Sequence, residues 1–251
     1  MDFTASDQPV STLKRGISGS TLKIIAIITM LIDHVGAVVI APVMFQRSGI
    51  NYMEDNLYGT YSLLRSIGRI GFPIFCFLLV EGFLHTRDMK RYAIRLGIFA
   101  FISEIPFNLA FFGKIFSPDY QNVFFTLLIG LLVMMAYKAI QEKLESKITK
   151  IILYLLSLSA GAGLAYFMKT DYKAFGVICI MVIYVFRYNK LHQIFAGAAS
   201  FYFKSPAAIF AFIPISLYNG KRGISLKYIF YAFYPVHLLI LYFIMRYILR
   251  I

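Results

Sequence analysis

Apolar stretches of about twenty residues recur along the chain and constrain its fold more than any other feature. A helix rises about 1.5 Å per residue, so about twenty apolar residues are needed to cross a hydrocarbon core about 30 Å thick. Only 15% of the residues are charged and 59% are hydrophobic, whereas about 25% of residues are charged in soluble domains. The sequence therefore predicts an all-α fold, a polytopic membrane helical bundle.

We predict about nine transmembrane helices, with ten as the alternative count, in a single domain that covers residues 1–251. Residues 1–22 are polar and form the predicted cytoplasmic N-terminal tail. The predicted spans are 23–42, 66–84, 92–112, 123–140, 150–168, 174–187, 191–203, 206–218 and 228–248. The three spans between residues 174 and 218 are short. Residues 43–65 contain several Tyr and charged residues and are predicted to form a longer loop, with or without an interfacial helix.

Positive charge is distributed unevenly between the two predicted sides of the membrane. Cytoplasmic loops of membrane proteins carry an excess of Lys and Arg. With the N-terminus in the cytoplasm, sixteen of the 25 Lys and Arg residues fall inside, eight fall outside and Arg69 lies within a span. The N-terminus is therefore predicted to be cytoplasmic. The net charge of +13 is mostly a topology signal, and we expect no nucleic-acid partner because no basic soluble domain is present.

Four ionisable residues lie deep within the predicted spans. Counted from the nearest basic residue at about 1.5 Å per residue, His34, Glu104 and His237 lie roughly 13–16 Å deep, close to the membrane midplane. Asp33 lies at a similar depth, but it does not face His34, because adjacent residues on a helix point about 100° apart. We therefore expect the partner of His34 to come from another helix.

Two interpretations of these midplane residues are open. Polar residues in a membrane bundle can simply bond across helices, at about 0.6 kcal/mol on average. Ionisable residues inside the membrane nevertheless mark functional sites by default. Four of them at one depth favour the functional interpretation.

The second predicted span carries the sequence "SIGRIGFPIFCFLLVEGFLHTR". Arg69 lies near its outer end and Glu81 near its inner end. Gly68, Gly71 and Pro73 allow close helix approach or a local kink. Arg69 is either an interfacial anchor or a functional residue of the site.

A short basic cluster follows this span on the cytoplasmic side. It consists of Arg87, Lys90, Arg91 and Arg95. Such a cluster is either a topology signal or a clamp for phosphate groups. The guanidinium of Arg donates paired hydrogen bonds to phosphate oxygens, and the ammonium of Lys binds them as a compact positive charge.

Five blocks of sequence resemble a known family. The blocks "TMLIDHVG", "GRIGFPIFCFLLVEGFLHTR", "RLGIFAFISEIPFNLAF", "NVFFTLLIG" and "YAFYPVHLLIL" are similar to successive blocks of the TraX family, membrane proteins of conjugal transfer linked to acetylation of the pilin N-terminus. The resemblance covers about residues 22–248. More remotely, an intramembrane His followed by "PIF…EGF" is similar to multi-pass acyltransferases that modify sugars and envelope polymers.

This resemblance implies a membrane acyltransferase of the bacterial cytoplasmic membrane. The acyl donor would be cytoplasmic acetyl-CoA or another acyl-CoA, and the acceptor a polymer, a glycan or a protein N-terminus, in contact with membrane lipid. The implied catalytic residues are His34 as general base, with Asp33, Glu104, His237 and Arg69 around it. The implied donor-binding residues are Glu81, Arg87, Lys90, Arg91 and Arg95. The sequence contains no metal-spacing motif, so we expect no metal. The oligomeric state is left open.

Two other classes of function remain open. A cluster of His and carboxylate side chains at the midplane is also typical of a proton-coupled transporter. Paired broken helices in two halves of the chain would favour a transporter, and the sequence shows none. A non-catalytic membrane assembly protein is the third class, but it would leave the midplane cluster unexplained.

Overall fold

The fold consists of helices throughout the described part of the chain. A computed structural model describes residues 16–225 and 227–250. The α-helices are α1 (Gly19–His34), α2 (Ala41–Ser48), α3 (Tyr58–Gly68), α4 (Gly71–His85), α5 (Met89–Phe112), α6 (Val123–Lys143), α7 (Lys147–Phe167), α8 (Lys173–Val185), α9 (Lys190–Tyr202), α10 (Phe212–Ser216) and α11 (Lys227–Phe243). Shorter elements are π-helical at Val35–Ile40 and Ile244–Ile248, and 3₁₀ at Gly49–Glu54, Phe186–Tyr188 and Pro206–Ala211. The predicted all-α fold is confirmed for these residues.

Six helical segments in the described residues are long and apolar enough to cross a membrane. They are Gly19–Ser48, Tyr58–His85, Met89–Phe112, Val123–Lys143, Lys147–Phe167 and Ile229–Ile248. They are consistent with a multi-pass membrane protein, and each overlaps one of the longer predicted spans. The predicted count of nine is not confirmed. Helices α8 and α9 have 13 residues each, which extend only about 20 Å.

Helix α8 is short but lies inside the bundle. It packs against α4, α6, α7 and α9, and Val177, Ile180 and Ile183 on it are fully buried. Burial of this kind supplies the stability that a helix of this length lacks on its own. The apolar residues of α8 therefore pack largely against other helices of the bundle.

The loops gather at two ends of the bundle. At the N-terminal end, Ile17 N donates to Leu217 O at 2.9 Å and Lys190 Nζ donates to Tyr218 O at 3.1 Å. At the far end, Gln121 N donates to Lys169 O at 3.0 Å. Helices α8, α9 and the segment Pro206–Ser216 run between these two ends, alternating in direction.

The prediction that residues 43–65 form one long loop is wrong at both ends of the segment. The first span continues through the π-helix and α2 to Ser48, and α3 begins at Tyr58. Two charged residues that suggested a loop are paired within the protein. Arg47 lies 3.7 Å from Asp55, and Arg65 forms an ion pair with Asp33.

The second span bends where the glycines predict. Helix α3 ends at Gly68 and α4 begins at Gly71. A methyl group on Gly68 would come within 2.1 Å of the Asp33 Cβ, and one on Gly71 within 3.2 Å of the Thr29 Oγ1. The two glycines therefore let the second span approach α1 closely at the position of Asp33.

Candidate functional site

A pair of histidines is buried inside the bundle. His34 is the last residue of α1, immediately before the π-helix, and His237 lies on α11. Their Nδ1 and Nε2 atoms are 2.6 Å apart, and the ring planes differ by 9°. Both side chains are buried, with 8% and 4% exposure. The contact puts the two side chains at one level of the bundle, while their depth in a membrane stays a prediction. The partner of His34 comes from another helix, as expected.

The backbone of α11 determines which ring nitrogens carry protons. His237 Nδ1 lies 2.7 Å from the carbonyl oxygen of Phe233, and a carbonyl oxygen only accepts, so Nδ1 must donate. In a neutral His237, Nε2 then accepts the proton of His34 Nδ1. His34 Nε2 is left with a free lone pair. The arrangement of carbonyl, orienting group and imidazole is the one that prepares a histidine for general base catalysis.

Aromatic rings enclose His34. Phe111 and Tyr234 meet the imidazole edge-on, with ring centroids 5.6 Å and 5.9 Å away. Tyr234 also meets His237 at 5.7 Å. These rings pack around the two imidazoles and hold them in one orientation.

Asp33 is directed away from His34. Its Oδ2 accepts a hydrogen bond from Arg65 Nη1 at 2.6 Å, and its Oδ1 is buried without a partner. The sequence argument that adjacent residues diverge on a helix is therefore correct here. Asp33 positions Arg65, a residue absent from the predicted site.

Arg69 lies in the break between α3 and α4, at the far end of the bundle. It lies beside the Tyr172 side chain and close to Asp33 and Asp171. Asp171 accepts a hydrogen bond from the Tyr120 hydroxyl at 2.6 Å. Burial raises the pKa of Asp171, while the Tyr120 hydrogen bond and Arg69 oppose that rise. Arg69 is thus part of a polar network rather than only an interfacial anchor.

Glu104 does not contact His34. Its Oε2 accepts a hydrogen bond from Asn122 Nδ2 at 2.5 Å and from Asn122 N at 3.3 Å. Asn122 also donates to Ala100 O at 2.8 Å and accepts from Phe124 N at 3.0 Å, which caps α6. Of the two midplane residues predicted on other helices, the structure therefore places His237 at His34 and Glu104 at the start of α6.

The predicted donor-binding residues lie at the N-terminal end, away from Arg69. Glu81 lies 3.9 Å from His85 Nδ1 and beside Tyr218. Arg91 Nε lies 3.0 Å from Asp88 Oδ2, and the Arg95 guanidinium lies 5.9 Å from the Tyr92 ring centre. Arg87, Lys90 and Arg91 are exposed. Binding of phosphate groups by this cluster stays a prediction.

Sequence reasoning missed two residues that organise the site. Arg65 falls in the segment interpreted as a loop, although it lies four residues before Arg69, a spacing that places both on one helical face. Asn122 precedes the apolar run "VFFTLLIG" and therefore carries a recognisable helix N-cap signal. Both signals were available in the sequence.

Comparison with known proteins supplies the family. Residues 18–245 match the family described as TraX protein. A "Probable fimbrial assembly protein FimC, serogroup H1" from Dichelobacter nodosus is 30% identical over 254 aligned residues, which cover 89% of this chain and 94% of the relative. No solved structure matches significantly. The match extends from the start of α1 to the C-terminal π-helix and includes both histidines of the pair. The chain therefore belongs to the TraX family.

Proposed function

We propose that the protein is an integral membrane acyltransferase. It would move an acyl group, expected to be acetyl, from cytoplasmic acyl-CoA to an amine or hydroxyl of an acceptor in or across the membrane. The observation that carries this proposal is the hydrogen-bond chain from Phe233 O through His237 to His34, which leaves His34 Nε2 as a free base among spanning helices. The name of the relative, a probable fimbrial assembly protein, fits an acceptor that belongs to a surface appendage.

The chemistry follows from the free lone pair. His34 Nε2 takes the proton from the acceptor amine or hydroxyl, while the acceptor nitrogen or oxygen forms a bond to the thioester carbonyl carbon. The carbon–sulfur bond then breaks, and the CoA thiolate leaves with the proton that His34 returns. A positioned general base of this kind typically contributes about 10²–10⁴-fold to the rate.

Other residues take supporting roles in this proposal. Arg69 guides the acceptor or stabilises developing negative charge. The basic cluster of Arg87, Lys90, Arg91 and Arg95, together with Glu81, holds the donor at the N-terminal end. The N-terminus would be cytoplasmic, in the bacterial cytoplasmic membrane. The short helices α8 and α9 and the segment Pro206–Ser216 would complete a nine-pass arrangement.

The test uses purified protein in lipid nanodiscs with radiolabelled acetyl-CoA. Free CoA should appear slowly, because water can replace the acceptor, and His34→Gln should abolish its release. The matched control is His192→Gln, which changes an exposed histidine on α9 and should leave release unchanged. Release of CoA at the wild-type rate by folded His34→Gln protein would refute the proposed role of His34.

A non-catalytic role in membrane assembly is the second candidate, favoured by the name of the relative. It predicts neither binding nor turnover of acetyl-CoA by the wild-type protein. It also predicts that His34→Gln supports fimbrial assembly in cells as well as the wild type does. The two proposals therefore give opposite results with a single variant.

A further inference from the structure

Two adjoining cavities lie at the far end of the bundle, opposite the basic cluster. One has a volume of about 140 Å³ and the other about 170 Å³. Arg69 and Ser205 line both of them, so the two cavities are neighbours, and we call the pair the far-end cleft and each cavity a compartment of it. Each compartment exceeds the volume of several water molecules at about 30 Å³ each. The cleft has room for a group the size of a sugar or an amino acid.

The charges that line the far-end cleft are all positive. Arg65, Arg69 and Lys204 line it, and no carboxylate does. Of the two nearest acids, Asp33 is bound to Arg65, and Asp171 accepts the Tyr120 hydrogen bond. Within residues 16–225 and 227–250, no carboxylate lies within ion-pair distance of Arg69 or Lys204. These two cations are therefore available to a ligand.

The two compartments differ in chemistry. Hydroxyl groups dominate the larger one, from Tyr58, Tyr61, Ser62, Ser66 and Ser205. Aromatic rings dominate the smaller one, where Phe72 and Tyr172 stack with centroids 3.4 Å apart. Lys204 Nζ lies 5.1 Å from the ring centres of both Tyr172 and Phe175. Rings of this kind hold a cation in place while its remaining N–H groups stay free to donate.

We propose that the far-end cleft binds an anionic group of the acceptor, either a carboxylate or a phosphate. Guanidinium and ammonium groups recognise both anions, and the hydroxyl compartment suits the polar part that carries the anion. Arg65 connects the cleft to Asp33, the residue immediately before His34. The assignment as an acceptor site rests on the proposed acyltransferase function. The donor would enter at the N-terminal end and the acceptor at the far end.

Binding can be tested without acetyl-CoA. The two cysteines, Cys76 and Cys179, are free and buried, so a thiol-reactive dye reports unfolding of the detergent-purified protein. The probes are galacturonate and inorganic phosphate, with neutral galactose as the matched comparison. Galacturonate or phosphate should raise the unfolding temperature, and galactose should not.

Variants locate the binding site. Lys204→Gln and Arg69→Gln should each raise the half-saturating concentration about tenfold or abolish the shift, whereas Lys204→Arg should retain it. The matched control is Lys114→Gln, which removes an exposed positive charge from the same end of the bundle without lining the cleft. An equal shift with galactose, an equal loss in Lys114→Gln, or no shift with either anion would overturn the proposal.

A lipid headgroup is the other source of the same anionic chemistry. Nanodiscs of phosphatidylcholine, with and without phosphatidylglycerol, distinguish it. Stabilisation by phosphatidylglycerol alone, lost in Lys204→Gln, would overturn the acceptor assignment and make the cleft a lipid site. The protein could bind galacturonate through Lys204 and yet never release CoA. That result would refute the proposed acyltransferase function but would still support the anion site.

Discussion

Substitution of Gly68 by alanine gives a direct test of how the second span approaches α1. The new methyl group would lie 2.1 Å from the Asp33 Cβ and 2.2 Å from its Oδ1. Ordinary van der Waals contact needs about 3.4–4 Å, so the two helices must separate by more than about 1 Å. That separation also pulls on the Asp33–Arg65 ion pair, whose atoms are 2.6 Å apart.

The magnitude follows from three contributions. Overpacking in a close contact costs about 1–3 kcal/mol. Breaking a buried ion pair costs about 3–5 kcal/mol, and this pair retains 24% and 17% side-chain exposure, so only part of that applies. Replacing glycine by alanine in a helix stabilises the helix by up to about 1 kcal/mol, which offsets part of this cost. We expect Gly68→Ala to lower the free energy of unfolding by about 2–5 kcal/mol.

The assay is thermal unfolding followed by the thiol-reactive dye. The control is Gly163→Ala on α7, where no atom lies within 4 Å of the added methyl group; its unfolding temperature should stay the same or rise. In an Asp33→Gly background the Cβ that causes the clash is absent, so Gly68→Ala should cost much less there. Equal unfolding temperatures for Gly68→Ala and Gly163→Ala in the native background would refute the reasoning.

Four further predictions concern the site and its supports. His237→Phe removes the acceptor for His34 Nδ1–H, and transfer should fall about 10²–10⁴-fold with an unchanged KM for the donor, measured by steady-state kinetics. Activity should fall at acidic pH, because protonated His34 has no lone pair at Nε2, and a pH–rate profile of kcat checks this. Arg91→Ala should raise the KM for acyl-CoA about tenfold without changing kcat, if a charged hydrogen bond to phosphate is lost. Asn122→Ala should destabilise the protein by about 1–3 kcal/mol in the dye assay, because Glu104 loses its shorter hydrogen bond and α6 loses its side-chain cap.

Each of these predictions has a contradicting result. Full activity of folded His237→Phe protein would show that catalysis does not need the hydrogen bond between the two histidines. A flat pH–rate profile on the acidic side would exclude a base that titrates. An unchanged KM for acyl-CoA in Arg91→Ala would show that the basic cluster acts only as a topology signal. Wild-type stability of Asn122→Ala would show that the start of α6 does not depend on this network.

The sequence was sufficient for features that depend on local pattern. The six long spans follow from continuous apolar runs, and the bend between α3 and α4 follows from Gly68 and Gly71. Helical rise alone predicts one level for His34 and His237, and the two side chains do meet although they lie 203 residues apart. These inferences need only the geometry of a single helix.

Features that depend on the rotation of one helix against another could not be predicted. Depth places Glu104 near His34, but rotation about α5 directs its carboxylate to Asn122. The pairing of Arg65 with Asp33 depends on the register of α3 against α1. Apolar composition gives no distinction between lipid and protein as the neighbour, so the burial of α8 among four other helices could not be predicted. The far-end cleft brings together α3, α4 and the start of the segment Pro206–Ser216, a combination that no local pattern reveals.

The position of His237 near the end of the chain has a consequence for biosynthesis. At a translation rate of about 5–20 residues per second, the 203 residues between the two histidines take roughly 10–40 s to make. During that interval α1 already carries His34, but α11 and its Phe233 carbonyl do not yet exist. A nascent or prematurely terminated chain would thus contain an imidazole with no orienting partner. In the proposed mechanism the oriented base would be complete only when α11 is inserted, so a protein without α11 would not consume acyl donor.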